Sequence, residues 1–472
     1  MILIIIGRAV QFLLLFATLK ISTTLLAPAE MAKVYLFAAI FSFFALLFIN
    51  PVGMFINRRL HAWNNAGRVQ DYLKYYWSYV LVSCLVALLL LELLIQAELI
   101  ELHTETRWIS VIIVGTLLFT TVNQSVIPWL NLLGYRNWFV GFSLGTAAAS
   151  LIAATLLVEL ISQRAEYWQS GLLIGQLLLA CLGWRVFYSR LNARTQTSQP
   201  TILHVNTLLK FAWPVALSVG LGWFQSQSYR FMMEPGLGLH ALGLFAAGYG
   251  ISAGIISAFE QVFTAYLQPI FYKNISNDNV HQQSGAWREY AGAMFPSLIL
   301  VSFAIYATAP ELTRIMLGPD YWSASQFIVW GVIAELARVG SGIYGMVAHA
   351  RMKTWLLLVP GLAGACLSVA LIWWLMPMYG SNGVGVALTI SASAAFILTY
   401  AFTRNEFAAN LPHGKLIKSM LMGSALLLLA EILREAMQAS LLASAVLLSA
   451  TGSAFMFFQF ILLRPLWQGN KT

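Results

Sequence analysis

The sequence predicts an all-α integral membrane protein with about fourteen transmembrane helices, arranged as two six-helix lobes related by a parallel repeat and followed by two C-terminal helices. Three observations lead to this prediction. The 472 residues are 59% hydrophobic and only 10% charged, with a mean hydropathy of +0.75, whereas soluble domains are about 25% charged. Apolar runs of membrane-crossing length recur along the whole chain. The loops between them alternate between many and few basic residues.

The apolar runs define the individual spans. An α-helix needs about 20 residues to cross a bilayer, and most runs reach this length. The first run lacks a basic n-region and a small-residue cleavage site, so we interpret it as a retained span and not as a signal peptide. The predicted spans are 2–26, 34–56, 75–96, 108–130, 138–159, 168–189, 208–233, 242–269, 290–310, 325–349, 355–376, 383–403, 416–433 and 441–463.

Basic residues predict the orientation of these spans. Eighteen of the 27 Lys and Arg residues lie in the even-numbered loops and the C-terminus, five lie in the odd-numbered loops and four lie inside spans. Cytoplasmic loops carry the excess of basic residues in membrane proteins. We therefore expect both termini in the cytoplasm. The net charge of +9 then indicates topology and gives no support for nucleic-acid binding.

A polar interval and two similar segments indicate the lobes. Tyr35–Ala39 and Gly243–Ala247 open equivalent spans of two six-span units and share the sequence Leu-Phe-Ala-Ala. Such a parallel repeat is typical of transporters and predicts a central site between the halves. The predicted organisation is an N-terminal six-helix lobe (1–190), a cytoplasmic linker (191–206), a C-terminal six-helix lobe (207–405) and two additional transmembrane helices (406–472).

The tenth predicted span carries charges on one helical face. Steps of three and four residues place small, polar and charged residues on a single stripe; these are Gly331, Glu335, Arg338, Gly342, Gly345 and His349. Ionisable residues inside a membrane are costly and usually face a partner or a wet cavity. Two interpretations stay open, namely an ion pair that only packs helices and the wall of a polar pathway. In the second, Gly342 and Gly345 leave room for a bulky ligand.

Four cations and two carboxylates are the candidate site residues. Arg8, Lys20, Arg230 and Arg338 lie inside predicted spans, and Arg suits bidentate phosphate contact while Lys acts as a point charge. The alternative for the first three is that each side chain reaches a nearby membrane interface. Glu260 and Glu335 either pair with these cations or load a coupling ion.

Enzyme classes and metal centres find no support in the motifs. The chain contains no Walker A, HExxH or G-x-S-x-G sequence, so we expect neither enzymatic activity nor a cofactor. The acidic segment 98–105, with its single histidine, is interpreted as a solvated loop and not as a metal site. The three cysteines form no CxxC pair and fall within apolar runs.

Several motifs in the second lobe resemble one family. The segments on which the resemblance rests are Leu242–Tyr249, Leu267–Tyr272, Leu317–Tyr321, Arg351–Thr354 and Tyr379–Ala387. With them the whole chain resembles Wzx-type polysaccharide flippases, which export O-antigen or exopolysaccharide units and belong to the multidrug/oligosaccharidyl-lipid/polysaccharide exporter superfamily. That superfamily also includes drug/sodium antiporters and the lipid II flippase.

The resemblance implies a function and partners. It implies a flippase in a bacterial inner membrane that moves a polyprenyl-pyrophosphate-linked glycan from the cytoplasmic to the periplasmic face. Membrane lipids, a polysaccharide polymerase and a chain-length regulator are the implied partners. A cation-coupled drug or small-molecule antiporter is the alternative, and span one argues against it, because its ionisable residues Arg8 and Lys20 are both cations.

Overall fold

Helices account for nearly all of the chain that the structure describes. A computed structural model describes residues 2–98, 100–104, 108–191, 205–275, 280–351, 353–406, 411, 413–437 and 440–469, and no strand occurs among them. The chain divides into two compact units, Met1–Trp223 and Phe224–Thr472. The helices of the first unit are α1 (Ile2–Leu25), α2 (Pro28–Phe44), α3 (Asn50–Asn65), α4 (Val69–Gln96), α5 (Ile109–Leu132), α6 (Arg136–Leu160), α7 (Ala165–Ser189) and the start of α8 (Val205–Asn274).

The second unit contains the rest of α8 and all later helices. These are α9 (Val280–Ala307), α10 (Ala309–Met316), α11 (Ile328–Ala350), α12 (Leu358–Thr403), α13 (His413–Ala436) and α14 (Leu441–Gly469), with 3₁₀ turns at Pro319–Phe327 and Thr354–Leu357. Helices α8 and α12 are each interrupted at one glycine. Gly238 has φ 83° and Gly380 has φ 57°, a region that residues with a Cβ rarely adopt. Each glycine therefore allows the chain to change direction without a loop.

The predicted fold class is confirmed. Eleven helices in the described part of the chain are long and apolar enough to cross a membrane, and Val10–Leu25 forms a shorter apolar helix. The count of fourteen spans, the internal repeat and the predicted lobe boundaries stay predictions. Most of the predicted linker, residues 192–204, lies outside the described residues.

One helix extends well beyond its predicted span. The second span was expected at 34–56, but α2, a π-helical turn at Ala45–Ile49 and α3 form a continuous helix from Pro28 to Asn65. Proline at the first helical position favours this early start. Glu30 and Lys33 pair with each other along this helix, since Lys33 Nζ lies 2.6 Å from Glu30 Oε1.

Small residues set the closest helix contact in the first unit. A Cβ added to Gly171 would collide with the backbone of Ala154, and one added to Gly175 would collide with the backbone of Ser150. These glycines are four residues apart on α7, and their partners are four apart on α6. Small residues at this spacing let membrane helices approach closely, so α6 and α7 pack backbone to backbone.

The last two helices pack on α9 in the second unit. Leu300, Leu426 and Leu462 form one buried cluster from α9, α13 and α14, and a second cluster continues the contact. Gln459 Nε2 donates a buried hydrogen bond of 2.6 Å to Ser297 Oγ. Helices α13 and α14, predicted as an addition to the second lobe, are thus held against α9 by both apolar and polar contacts.

Candidate functional site

The charged stripe of α11 forms part of a three-residue ion network. Glu335 and Arg338 are one turn apart on α11, and Arg338 Nε donates to Glu335 Oε2 at 2.7 Å. Glu260, on the part of α8 after Gly238, accepts from Arg338 Nη2, also at 2.7 Å. One guanidinium therefore joins two carboxylates from two helices. This network (Glu260, Arg338 and Glu335) is called the α8–α11 triad below.

Burial differs strongly among the three members. The Glu335 side chain is 8% exposed, the Glu260 side chain 25% and the Arg338 side chain 43%. A buried carboxylate without a partner is very costly, so Glu335 needs its contact with Arg338. Arg338 has five N–H donors, and its Nη1 makes no hydrogen bond to any residue that the structure describes. The guanidinium thus keeps an accessible edge.

The glycines on the stripe do not all provide space. Gly342 and Arg338 are both exposed, one turn apart, and a Cβ on Gly342 would lie 3.9 Å from Glu260 Oε1. Gly345 is buried, and a Cβ there would lie 3.6 Å from Leu357. Gly331 packs against the Tyr249 carbonyl. The expected room beside Gly345 is therefore occupied by Leu357, and only Gly342 borders the accessible side of the triad.

Of the other predicted cations, Lys20 and Arg230 are not part of the triad. Lys20 is half-buried on α1 in the first unit. Arg230 is half-buried on α8; its Nε donates to the Tyr229 hydroxyl at 3.2 Å, and its guanidinium carbon lies 5.6 Å from that ring centroid. The side chain of Arg8 lies outside the described residues. A shared role for these cations stays a prediction.

Several motif residues behind the family resemblance have packing roles. Gly380 supplies the break in α12, Gly383 abuts the Leu375 carbonyl and Gly385 abuts the Trp330 ring. Trp330 Nε1 also donates to Asn382 Oδ1 at 3.1 Å. The contacts of Gly385 and Asn382 with Trp330 hold α12 against α11. Part of the Tyr379–Ala387 motif therefore positions α11, which carries Glu335 and Arg338.

The basic turn of the resemblance is also structural. Lys353 Nζ lies 2.9 Å and 2.8 Å from the two carboxylate oxygens of Glu406, and Arg351 Nε lies 3.7 Å from Glu406 Oε2. Glu406 follows the end of α12, and the basic residues follow the end of α11. The turn thus joins the ends of two helices in the second unit.

The contact that the sequence did not predict is the one between Glu260 and Arg338. The two residues are 78 positions apart, and no periodicity in either helix indicates that they meet. Glu335 and Arg338 were predicted to share a face because they are three residues apart. The signal available for Glu260 was only that an acid inside an apolar span needs a cation.

Comparisons with known proteins reveal the fold but no sequence relative. No protein-family model and no curated protein matches the sequence. The structure is similar to a solved structure described as "Lipid II flippase MurJ, inward closed conformation", with a TM-score of 0.71 and 12% identity over 99% of this chain and 100% of that chain. It is also similar to an inward-facing multidrug resistance MATE family transporter of the MOP superfamily, with a TM-score of 0.65, 14% identity and coverage of 84% and 95%.

These similarities establish the architecture. At 12% and 14% identity they show that the chain has the fold shared by these two proteins. The chain is therefore a multi-pass membrane protein with a transporter fold, and the compared proteins are transporters or flippases rather than enzymes.

Proposed function

We propose that this protein is a flippase that translocates a polyprenyl-pyrophosphate-linked oligosaccharide from the cytoplasmic to the periplasmic face of a bacterial inner membrane, by ion-coupled alternating access. The observation that supports this proposal is the accessible guanidinium edge of Arg338. This residue lies on a helix of membrane-crossing length, and its guanidinium is bonded to two carboxylates. The family resemblance and the fold shared with a lipid II flippase support the same class of cargo.

In this proposal Arg338 binds the pyrophosphate or an acidic sugar. Its Nη1 edge receives the anion, while Nε and Nη2 stay bonded to Glu335 and Glu260. Both carboxylates therefore remain paired during passage, and neither is left buried without a partner. Arg8, Lys20 and Arg230 are proposed as further cationic contacts. A polysaccharide polymerase and a chain-length regulator are the proposed partners, because they would use the exported units.

The charge of the triad suggests where ion coupling acts. With both carboxylates ionised, the two glutamates outnumber the single arginine, and the triad is net negative. A net negative site opposes an anion, and adding a proton or another cation removes this opposition. Cation binding and anion binding at the triad then favour each other, and the linkage is reciprocal. Glu260 is the more accessible carboxylate and is our proposed coupling residue.

A depletion experiment tests the proposed function. Depletion of the protein should cause a lipid-linked oligosaccharide to accumulate on the cytoplasmic face, where it is identified by mass spectrometry. Arg338→Ala should reproduce the accumulation, and Arg404→Ala, which removes an exposed arginine after α12, should not. Normal export with Arg338→Ala at equal protein abundance would exclude the role given to Arg338. The absence of any accumulated lipid-linked glycan on depletion would exclude the flippase itself.

The net negative triad also favours one competing function, a cation-coupled antiporter for drugs or other small molecules. Such a protein needs an acidic residue accessible to a cation, and Glu260 at 25% exposure meets this need. Reconstituted vesicles distinguish the two functions. A flippase changes the leaflet in which a lipid-linked glycan resides, whereas an antiporter moves a soluble cation against a proton or sodium gradient.

A further inference from the structure

A pocket in the first unit differs in its chemistry from the triad, which belongs to the second unit. It has a volume of about 370 Å³ and lies among α4, α5 and α7. Its lining includes Trp77, Leu118, Phe119, Cys181 and Trp184. Apart from the thiol and the indole nitrogens, these side chains offer only hydrocarbon surface. The volume falls in the range of about 300–1,000 Å³ that is usual for small-molecule sites.

The pocket lies among membrane-crossing helices, and part of its lining is exposed. All three helices have membrane-crossing length and composition. Two lining residues are exposed, namely Leu81, whose exposed fraction is 51%, and Cys181. The hydrocarbon of lipid is the medium that matches exposed apolar surface on a membrane-crossing helix. The medium available to fill this apolar pocket is therefore the chain of a lipid.

Basic side chains lie at one end of the same pocket. Lys74 precedes Trp77 by three residues on α4, and Arg185 follows Cys181 by four residues on α7. Each is thus one turn from a lining residue and on the same side of its helix. The rings of Trp77 and Trp184 lie 4.9 Å apart, so these two helix ends meet.

Both cations are available to a headgroup. Lys74 is 68% exposed, and its contact with Asp71 is long, at 4.0 Å. Arg185 is exposed and makes no ion pair with the residues that the structure describes. Basic residues next to a span attract anionic lipid headgroups. An apolar pocket with adjacent exposed cations matches the two halves of an anionic phospholipid.

We propose that the α4–α5–α7 pocket binds a membrane phospholipid with an anionic headgroup, its acyl chain against Trp77, Phe119 and Cys181 and its phosphate between Lys74 and Arg185. The site is independent of the proposed cargo. Under the predicted orientation, the bound lipid belongs to the cytoplasmic leaflet.

Photolabelling of the full chain in nanodiscs tests this site. The probe is phosphatidylglycerol with a diazirine in the middle of one acyl chain, in a phosphatidylcholine background. We expect labelled peptides to concentrate in α4, α5 and α7 and to be displaced by unlabelled phosphatidylglycerol. Lys74→Gln combined with Arg185→Gln should reduce this labelling about tenfold, because two charge contacts are lost. Lys418→Gln, which removes an exposed lysine from α13, should leave it unchanged.

A second variant keeps the test independent of the cations. Cys181→Trp fills the mouth of the pocket at an exposed position and should abolish the labelling, while Cys366→Trp, at the other exposed cysteine, should not. The labelling of a variant is compared with that of the parent only if both proteins are equally monodisperse and have the same melting temperature. The proposal is overturned if labelling is spread evenly over the exposed leucines, if a phosphatidylcholine probe labels the pocket equally, or if folded pocket variants label like the parent.

Discussion

Glu260 Oε2 accepts a hydrogen bond of 2.7 Å from Arg338 Nη2 although the two residues are 78 positions apart in the chain. This contact joins α8 to α11. Within α11, Glu335 alone already balances the positive charge of Arg338. A purely structural ion pair needs no second carboxylate. The additional acid gives the triad two carboxylates for one guanidinium, and this excess of acid distinguishes it from a simple ion pair.

The first prediction distinguishes these two roles by removing charge in pairs. Glu335→Gln with Arg338→Gln removes both charges within α11, so a structural network should tolerate the double change better than Arg338→Gln alone, which leaves two carboxylates without a cation. If Arg338 binds the cargo, the double variant should lose export as completely as Arg338→Ala. Arg338→Lys should retain part of the activity, because the charge survives but an ammonium group cannot reproduce the planar set of donors that reaches both carboxylates and the anion. Export is measured at equal protein abundance, and wild-type export by the double variant would refute the functional role.

The second prediction concerns Glu260. Glu260→Gln removes one negative charge from the triad while the amide can still accept the hydrogen bond from Arg338. We expect binding of the anionic cargo to tighten by roughly tenfold, as for about 1.4 kcal/mol of relieved repulsion. Binding of a lipid-linked pyrophosphate to the purified protein, compared between the variant and the parent, checks this. Weaker binding by a well-folded Glu260→Gln variant would contradict the assigned role of Glu260.

The third prediction concerns a salt bridge that stabilises the second unit. Glu311 is 4% exposed, and Arg434 Nε and Nη2 each donate to one of its oxygens at 3.0 Å. Arg434→Ala leaves this carboxylate buried without a cation, and we expect a loss of about 3 kcal/mol in the free energy of unfolding. Glu431, another partner of Arg434, is 62% exposed, so Glu431→Gln should cost less than about 1 kcal/mol. Melting temperatures in detergent compare the two, and equal effects would contradict the argument from burial.

The fourth prediction concerns the contact between α6 and α7. Gly175→Ala places a methyl group against the backbone of Ser150, and overpacking of this kind costs about 1–3 kcal/mol. Gly141 is the matched control, because it lies on α6 with nothing within 4 Å of an added Cβ. We expect the first variant to lower the melting temperature and Gly141→Ala to keep or raise it, since alanine favours helix. An unchanged melting temperature for Gly175→Ala would show that the two helices are packed less closely than the structure indicates.

The fifth prediction concerns orientation. Asn65 ends α3 and Gln163 lies between α6 and α7; both are exposed. With the exposed Cys181 and Cys366 replaced by serine, a membrane-impermeant maleimide should label Gln163→Cys in intact cells. Asn65→Cys should react only after the membrane is permeabilised. The reverse pattern would invert the orientation predicted from the basic residues.

The sequence predicted those structural features that composition or a periodic pattern determines. Apolar content predicted the membrane fold, and a three-residue step predicted that Glu335 and Arg338 meet. Contacts between distant segments were not predictable in this way. Leu357 occupies the space expected beside Gly345 because a separate 3₁₀ turn packs there. The spacing of Gly171 and Gly175 was a visible signal for close packing, but its partner helix could be identified only in the folded chain.

The break at Gly380 has a further consequence for the outside of the cell. Under the predicted orientation it lies on the periplasmic side, and a single residue connects the two arms of α12, residues 358–379 and 381–403. A connection this short contains no extended segment that a protease could cleave and no loop that an antibody could bind. It also leaves no position for an inserted epitope tag, because added length would shift one arm along the membrane normal. Tags and affinity handles for this protein therefore belong in segments such as 100–104, where the chain is outside helices already.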